Sequence, residues 1–474
     1  MKTLKSYLRI LFSILFLSLI LFNWGCISGK AEEAQSVDLQ NKIIPLKTTK
    51  AGNGFEDLDK LQEILKDKKI VAMGEATHGT KEFFEMKHRM FEFLVEKMGY
   101  RLFAIEAEFG GAQDVNDYIL YGKGNAEDAI KSMKFWTWST EEVVDMVEWM
   151  RNYNENPEHK TKIKFYGFDM QSGDKNSARV LEYIKKVDNN KLSEFKGKLS
   201  DVNDKLYSLD KEKLENIKKG TEQLKNIFEE KKQDYVNKSS ISEYEKVLQD
   251  LNVINQCVEY VIITKTEGWG KASNTRDHCM AQNAKWILDY EKQFGNDKIM
   301  LWAHNGHITK KISNYKSMGQ NLKEMFNDEY YAIGFDFYQG SFRAIPCDSR
   351  GQTIGSGLAK FNISSSDSNS FAYSFEKTGV PLSFIDFKSA SKDTNISAWL
   401  SQKQLIHSIG AIYNGRPNQW MLPEVPMESY DGLIFVKKTT AAIGIKGYET
   451  KIEDGDAETS IYKGIFRTIK SLTQ

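Results

Sequence analysis

The chain has 474 residues, 41% of them hydrophobic and 12% aromatic, the balance of a globular protein rather than a disordered one. Lysine plus arginine and aspartate plus glutamate are both 65, which removes the bulk positive charge that a nucleic-acid partner needs. The length asks for more than one small core. Four cysteines, with no Cys-x-x-Cys and no Cys/His cluster, exclude a disulfide scaffold and a structural zinc module.

The first segment reads as an address. Lys2, Lys5 and Arg9 precede an uncharged run, "ILFSILFLSLILF", and then "NWGC". This basic, apolar, small-residue order is that of an export signal, and the run is short for a full membrane span. Cys26 follows Gly25 and resembles the lipidation site of bacterial lipoproteins, with Asn23 where Leu is usual. The expectation is an exported, membrane-anchored envelope lipoprotein: residues 1–26 the signal, lipidation at Cys26, and residues 27–45 a polar tether. Three cysteines then remain, which cannot all pair.

Short apolar runs follow, each expected to be a buried strand: 69–74, 101–108, 163–170, 298–307, 330–338 and 432–438. Between the first two, Phe83, Met86, Met90, Phe91, Leu94, Val95 and Met98 recur at helical spacing up to Gly99, a suitable stop. Strand, helix, strand at this spacing predicts parallel βαβ units. The fold class is therefore α/β, with a mainly parallel central sheet flanked by helices. Residues 173–272 are Lys/Glu-rich with apolar residues at helical intervals, and no strand-like run precedes "NQCVEYVIIT". They read as a helical insertion, either a solvated cover or a lid over a site. It divides the α/β catalytic domain into 46–172 and 273–474. "NTRDHCMAQNAKWILDYEKQF" reads as a further amphipathic helix, and Ser-rich 361–375 as a surface loop.

Ionisable residues gather at the C-terminal ends of these strands, where open parallel sheets bind ligands. The first ends in Glu75 and His78, the second in Glu106 and Glu108, the third in Asp169, and the fourth in His304 and His307. The chain has seven histidines, and three fall in two short motifs, "GEATHG" and "AHNGH". The glycines of "GEATHG" are expected to let the chain turn tightly. His88, His159, His278 and His407 lie elsewhere. Neither Gly-x-Ser-x-Gly nor His-Glu-x-x-His occurs; "GSG" at 355–357 is too short for the first. Direct attack by water remains. An imidazole can take its proton near neutral pH if a carboxylate fixes the tautomer. Glu75 or Glu106 can do this for His78, while His304 and His307 can protonate a leaving oxygen or stabilise an oxyanion. The same residues can also hold a divalent metal. Trp136 and Trp138 either cap the core or line a wide apolar pocket.

Taken together, 74–89, 100–119, 135–154, 164–171, 276–287 and 301–308 resemble the erythromycin esterase family. The resemblance implies hydrolysis of a macrolactone or related cyclic ester, with His78 as the general base and Glu75, Glu106, His304 and His307 at the family's neighbouring positions. Lys87 falls where many members have Arg, which keeps the charge and loses the bidentate fork. Lys87, Arg89, Trp136 and Asp169 are the candidate substrate contacts. The expected partners are a small-molecule ester such as a macrolide and, through the lipid anchor, a membrane; no nucleic acid and no cofactor are expected. The rival readings are a metal-dependent hydrolase or protease using the same His/Glu cluster, and a non-catalytic envelope binding lipoprotein.

Overall fold

A computed structural model describes residues 37–312, 314–354 and 357–452. The signal, Cys26 and most of the expected tether lie outside the described residues, as do Gly355 and Ser356. In chain order the strands are β1 Ile44–Pro45, β2 Ile70–Met73, β3 Leu102–Glu108, β4 Lys164–Asp169, β5 Ile299–Trp302 and β6 Tyr330–Pro346. They continue with β7 Leu358–Ile363, β8 Leu382–Asp386, β9 Gln404–His407, β10 Ile412–Tyr413, β11 Met421–Glu424, β12 Gly432–Thr439 and β13 Thr450–Ile452.

The main path of the large sheet runs β1-β8-β12-β6-β2-β5-β3-β4. From β12 to β4 every neighbouring pair is parallel, and β8 and β1 add an antiparallel edge. The period-2 alternation of side chains explains why both faces are apolar. Ile70, Ala72, Leu102, Ala104, Ile299 and Leu301 enter one core. Val71, Met73, Phe103, Ile105, Met300 and Trp302 enter the other. Helices Lys81–Met98, Phe109–Tyr121 and Glu141–Glu155 contribute to the second core. Helices Asp174–Val187, Ile241–Thr266 and Trp269–Lys292 contribute to the first. The Lys81–Met98 helix stops at Gly99, which has φ 76° and donates to Leu94 O.

The chain leaves β2, builds β3 and β4 on one side, then returns to insert β5 between β2 and β3 before crossing to β6. The winding reverses around β2 and β5. This is the place where strand ends diverge and leave a crevice.

Four sequence expectations change. The end of the supposed tether is packed into the fold, because Leu39 and Ile43 are buried and Ile44–Pro45 pairs with β8. "NQCVEYVIIT" is helical, within Ile241–Thr266. Its β-branched content yields to packing, with Cys257, Val258 and Val261 fully buried. The run at 298–307 is strand only to Trp302, and Asn305–Ile308 forms a helical turn. The Ser-rich 361–375 loop carries the end of β7 and the start of helix Phe371–Glu376, because the serines separate buried Phe361, Phe371 and Phe375.

Candidate active site

Two carboxylate-centred clusters meet at the ends of β2, β5, β3 and β4. Glu75, just past β2, is fully buried. One oxygen lies 2.6 Å from His78 Nδ1; the other accepts from Lys87 Nζ at 2.5 Å and from Trp302 Nε1 at 2.8 Å. With Nδ1 turned to Glu75, His78 has Nε2 left to take a proton. The His78 side chain is 12% exposed while that of Glu75 is 0%, so the imidazole is the member that meets solvent. Lys87 belongs to the sheet-facing stripe of its helix and sits over the Trp302 ring at 4.4 Å. Burial lowers its pKa to about 8, although Glu75 and Glu106 both oppose the shift.

The second cluster is built on Glu106. Its oxygens accept from Arg276 Nη2 at 2.8 Å and from the His304 backbone N–H at 2.9 Å. Arg276 also spans Asp169, with Nε to Oδ1 at 3.1 Å and Nη2 to Oδ2 at 2.7 Å. His307 Nδ1 lies 2.9 Å from Asp277, and its Nε2 is 3.2 Å from Glu106 and 3.0 Å from Arg276 Nη1. Three carboxylates surround one guanidinium, so a second positive charge is favoured on His307. Burial works against it, yet Asp277 and Glu106 prevail and raise the His307 pKa to about 10. Glu106 is held well below the usual carboxylate range: burial opposes this, and His307 and Arg276 outweigh burial. His304 goes the other way. Burial, with His78 and His307 nearby, pushes it well below the usual value, so its ring is neutral. Gly306 N–H donates to its Nδ1 at 3.1 Å, which leaves the ring proton on Nε2. The His78 and His304 ring centroids are 5.1 Å apart.

Local geometry explains three glycines. Gly74 and Gly79 do not serve as left-handed turn residues, since neither has a positive φ. They permit close approach instead: a Cβ on Gly74 would come 2.1 Å from Asn305 Oδ1, and one on Gly79 2.2 Å from Arg343 O. The register between β3 and β4 shifts between Ile105 and Glu108. Gly167 lies against this irregularity, where a Cβ would sit 2.4 Å from Ala107 O.

Glu75, His78, Glu106, His304 and His307 therefore converge, with Lys87 and Asp169 bonded into the same network. Arg89 does not join them. It is buried against Asp57 at 2.5 Å and donates to Thr48 O and Gly54 O, so both of its Nη groups are committed elsewhere. Trp136 packs under Arg343 at 5.7 Å. Its neighbour Trp138 is the one that reaches the site: its ring stands edge-on to His78 at 5.9 Å, and its Nε1 donates to Glu106 O at 2.9 Å. Glu108 lies opposite Asp169 in the β3–β4 register but makes no hydrogen bond to this network, and burial and Asp174 push its carboxyl well above the usual range. Sequence reading missed Arg276 and Asp277. The available signal was a charged pair on an otherwise apolar helical face, in register with Met280 and Ala284. Among the described residues, no three His, Cys, Asp or Glu side chains are grouped so as to hold a metal ion.

The profile of a family described as Erythromycin esterase matches residues 95–439. The match includes the strands after β6 and begins beyond the Glu75–His78 turn. The chain is 25% identical over 390 residues to an erythromycin esterase type II of Escherichia coli, covering 75% of this chain and 89% of that one. It is 27% identical over 476 residues to a putative hydrolase of Bacillus subtilis, covering 93% of this chain and 100% of that one. A crystal structure of a Bacillus cereus protein superposes with a TM-score of 0.75 at 28% identity, covering 85% of this chain and 97% of that one. An erythromycin esterase mutant in its open conformation shares the fold, with a TM-score of 0.63 at 16% identity over 84% of this chain and 96% of that one.

Proposed function

The chain belongs to the erythromycin esterase family of hydrolases, and we propose that it opens a macrolactone or related cyclic ester with a water activated by His78. One observation carries the reading. His78 is a partly exposed imidazole whose Nδ1 is bound by a buried carboxylate, beside a second imidazole that is neutral and protonated on Nε2.

In the proposed reaction His78 Nε2 takes a proton from water as the water oxygen attacks the ester carbonyl carbon. Glu75 holds the tautomer and stabilises the imidazolium that forms. The carbonyl electron pair moves to oxygen, where His304 Nε2–H and the positive Arg276–His307 pair lower its energy. On collapse the ring C–O bond breaks, and the leaving alkoxide takes the proton back from His78. The products are one carboxylic acid and one hydroxyl on the same opened chain. The protein side chains suffice for these steps without a metal, and chelator treatment is expected to leave the rate unchanged.

Purified protein incubated with a panel of macrolides and simple cyclic esters should yield a product heavier by one water in mass spectrometry. His78→Ala should abolish that product and leave the protein folded, since Glu75 keeps Lys87 and Trp302 as partners. Full activity in this variant removes His78 as the base.

A further inference from the structure

Within β6, just past the level at which its neighbour β2 ends, stands an acid that the proposed reaction does not use. Asp336 Oδ1 lies 2.7 Å from His407 Nδ1, and both side chains have 0% exposure. The same oxygen accepts from Phe337 N–H at 2.8 Å, and the His407 ring stacks on Phe337 at 4.5 Å. The pair repeats one feature of Glu75 and His78, a buried carboxylate turned to an imidazole Nδ1, but it is sealed from solvent.

His407 does not belong to the large sheet. It closes β9, which pairs with β11 in a separate two-stranded sheet. Two residues further on, Ile409 N–H donates at 2.7 Å to the carbonyl of Ala76, the residue after Glu75. Ile409 is fully buried, and its backbone stands close to the His304 imidazole. Ser408 between them donates to Trp420 O at 2.8 Å. A bond at His407 thus governs, within two residues, a strut under the Glu75–His78 turn and a wall beside His304.

Cohesion alone does not call for this pair. A buried ion pair is weak evidence for stability, and apolar residues of similar volume serve as well or better. The contact also leaves Asp336 Oδ2 and His407 Nε2 buried without a partner among the described residues, yet its one hydrogen bond still fixes the arrangement of the groups it joins. We propose that Asp336 and His407 are positioning residues of the His78/His304 site: their hydrogen bond anchors the Gln404–Ile409 segment to β6 and so holds Ile409 against Ala76 and beside His304. The kinetic half of this inference rests on the hydrolase reading; the structural half does not.

The test uses the full-length protein and three variants. His407→Phe keeps the ring stack and loses the donor. His407→Asn keeps a donor near the position of Nδ1. Asp336→Leu with His407→Phe replaces the pair without leaving a buried charge. We expect His407→Phe and the double variant to lose on the order of ten- to a hundredfold in kcat, the scale of a displaced catalytic group, with KM changed less than about threefold. His407→Asn should recover most of the loss. In protein labelled with 15N-histidine, the His304 signal of the parent should report a neutral ring protonated on Nε2. That signal should move or broaden in the double variant and stay in His407→Asn. Should His407→Phe fail to fold, the double variant carries both readouts. A parental kcat together with an unmoved His304 signal in the double variant overturns the proposal, as does an equal loss in His407→Asn and His407→Phe. If the parent turns over no ester, the reaction reading fails, and the nuclear magnetic resonance arm still decides the positioning role.

Discussion

Lys87 shows how one side chain sets the charge balance of the site. Its ammonium group is fully buried, is bonded to Glu75, and faces the rings of Trp302, Phe335 and Phe84. Burial lowers its pKa to about 8. Below that pH Glu75 has a counter-charge; above it the lysine is neutral, and the site loses a positive charge that favours the negative charge developing on the carbonyl oxygen. The proposed reaction should therefore lose rate as pH rises through about 8, on a limb that belongs to Lys87. Lys87→Arg keeps its charge at any working pH, so the limb should move to higher pH, while Lys87→Met should show no such limb and a lower rate throughout. A pH profile of kcat/KM for the three proteins checks this. The sign for stability is opposite to that for rate. A lysine with a depressed folded pKa binds fewer protons folded than unfolded between about 8 and 10.4, so its contribution makes the fold more stable as pH rises through that window.

At the scale of elements, helix Trp269–Lys292 is the part that completes the site. It delivers Arg276 and Asp277 from consecutive positions, and Arg276 ties β3 to β4 through Glu106 and Asp169. A helix that covered the sheet by apolar contact alone could slide. This one is registered by a guanidinium locked between two strand ends. Arg276→Gln leaves Glu106, Asp169 and Asp277 buried around a neutral amide, a loss expected to cost about 3–5 kcal/mol. Urea denaturation at neutral pH should show that drop, and the gap to the parent should narrow under acidic conditions, where the carboxylates of the variant take up protons. An unchanged midpoint at neutral pH would remove Arg276 from this role. The preceding helices extend the core on that face of the sheet, with Leu214, Leu224, Phe228 and Tyr235 buried. They also reach the strand ends, where Tyr207 OH donates to Gln171 O at 2.8 Å.

At the scale of the whole molecule, the question is where the hydrolase works. Among the described residues no helix is long and apolar enough to cross a membrane. We propose that the chain is exported and held at the envelope membrane by a lipid on Cys26. Full-length protein should then sediment with membranes in its native host or a bacterial expression host, and Cys26→Ser should release it to the soluble fraction. Equal partition of the two proteins would remove the anchor and leave the catalytic argument untouched.

Much of the sheet is legible in the sequence because strand and helix periodicities are local. "IVAM", "LFAIEAE" and "KFYGFD" are short, mainly apolar runs, and the Lys81–Met98 helix declares both its apolar face and its Gly99 stop. The pairing of "GEATHG" with "AHNGH" is legible for a related reason: parallel strands carry their C-terminal ends to one edge, so acids and imidazoles at those ends must become neighbours. Only the tertiary structure decided which of them bond. Glu75 rather than Glu106 holds His78, because Glu106 is taken by Arg276, His307 and the His304 backbone. Arg89, two residues from Lys87, turns to Asp57 because helix positions i and i+2 point their side chains to opposite sides. The purpose of Gly74 and Gly79 was also invisible, since the atoms they make room for belong to Asn305 and Arg343, more than two hundred residues away. Charge states follow the same division: a sequence names the ionisable groups, but burial and the sign of the nearest partner, which fix His304 as neutral and His307 as a cation, exist only once the strands are assembled.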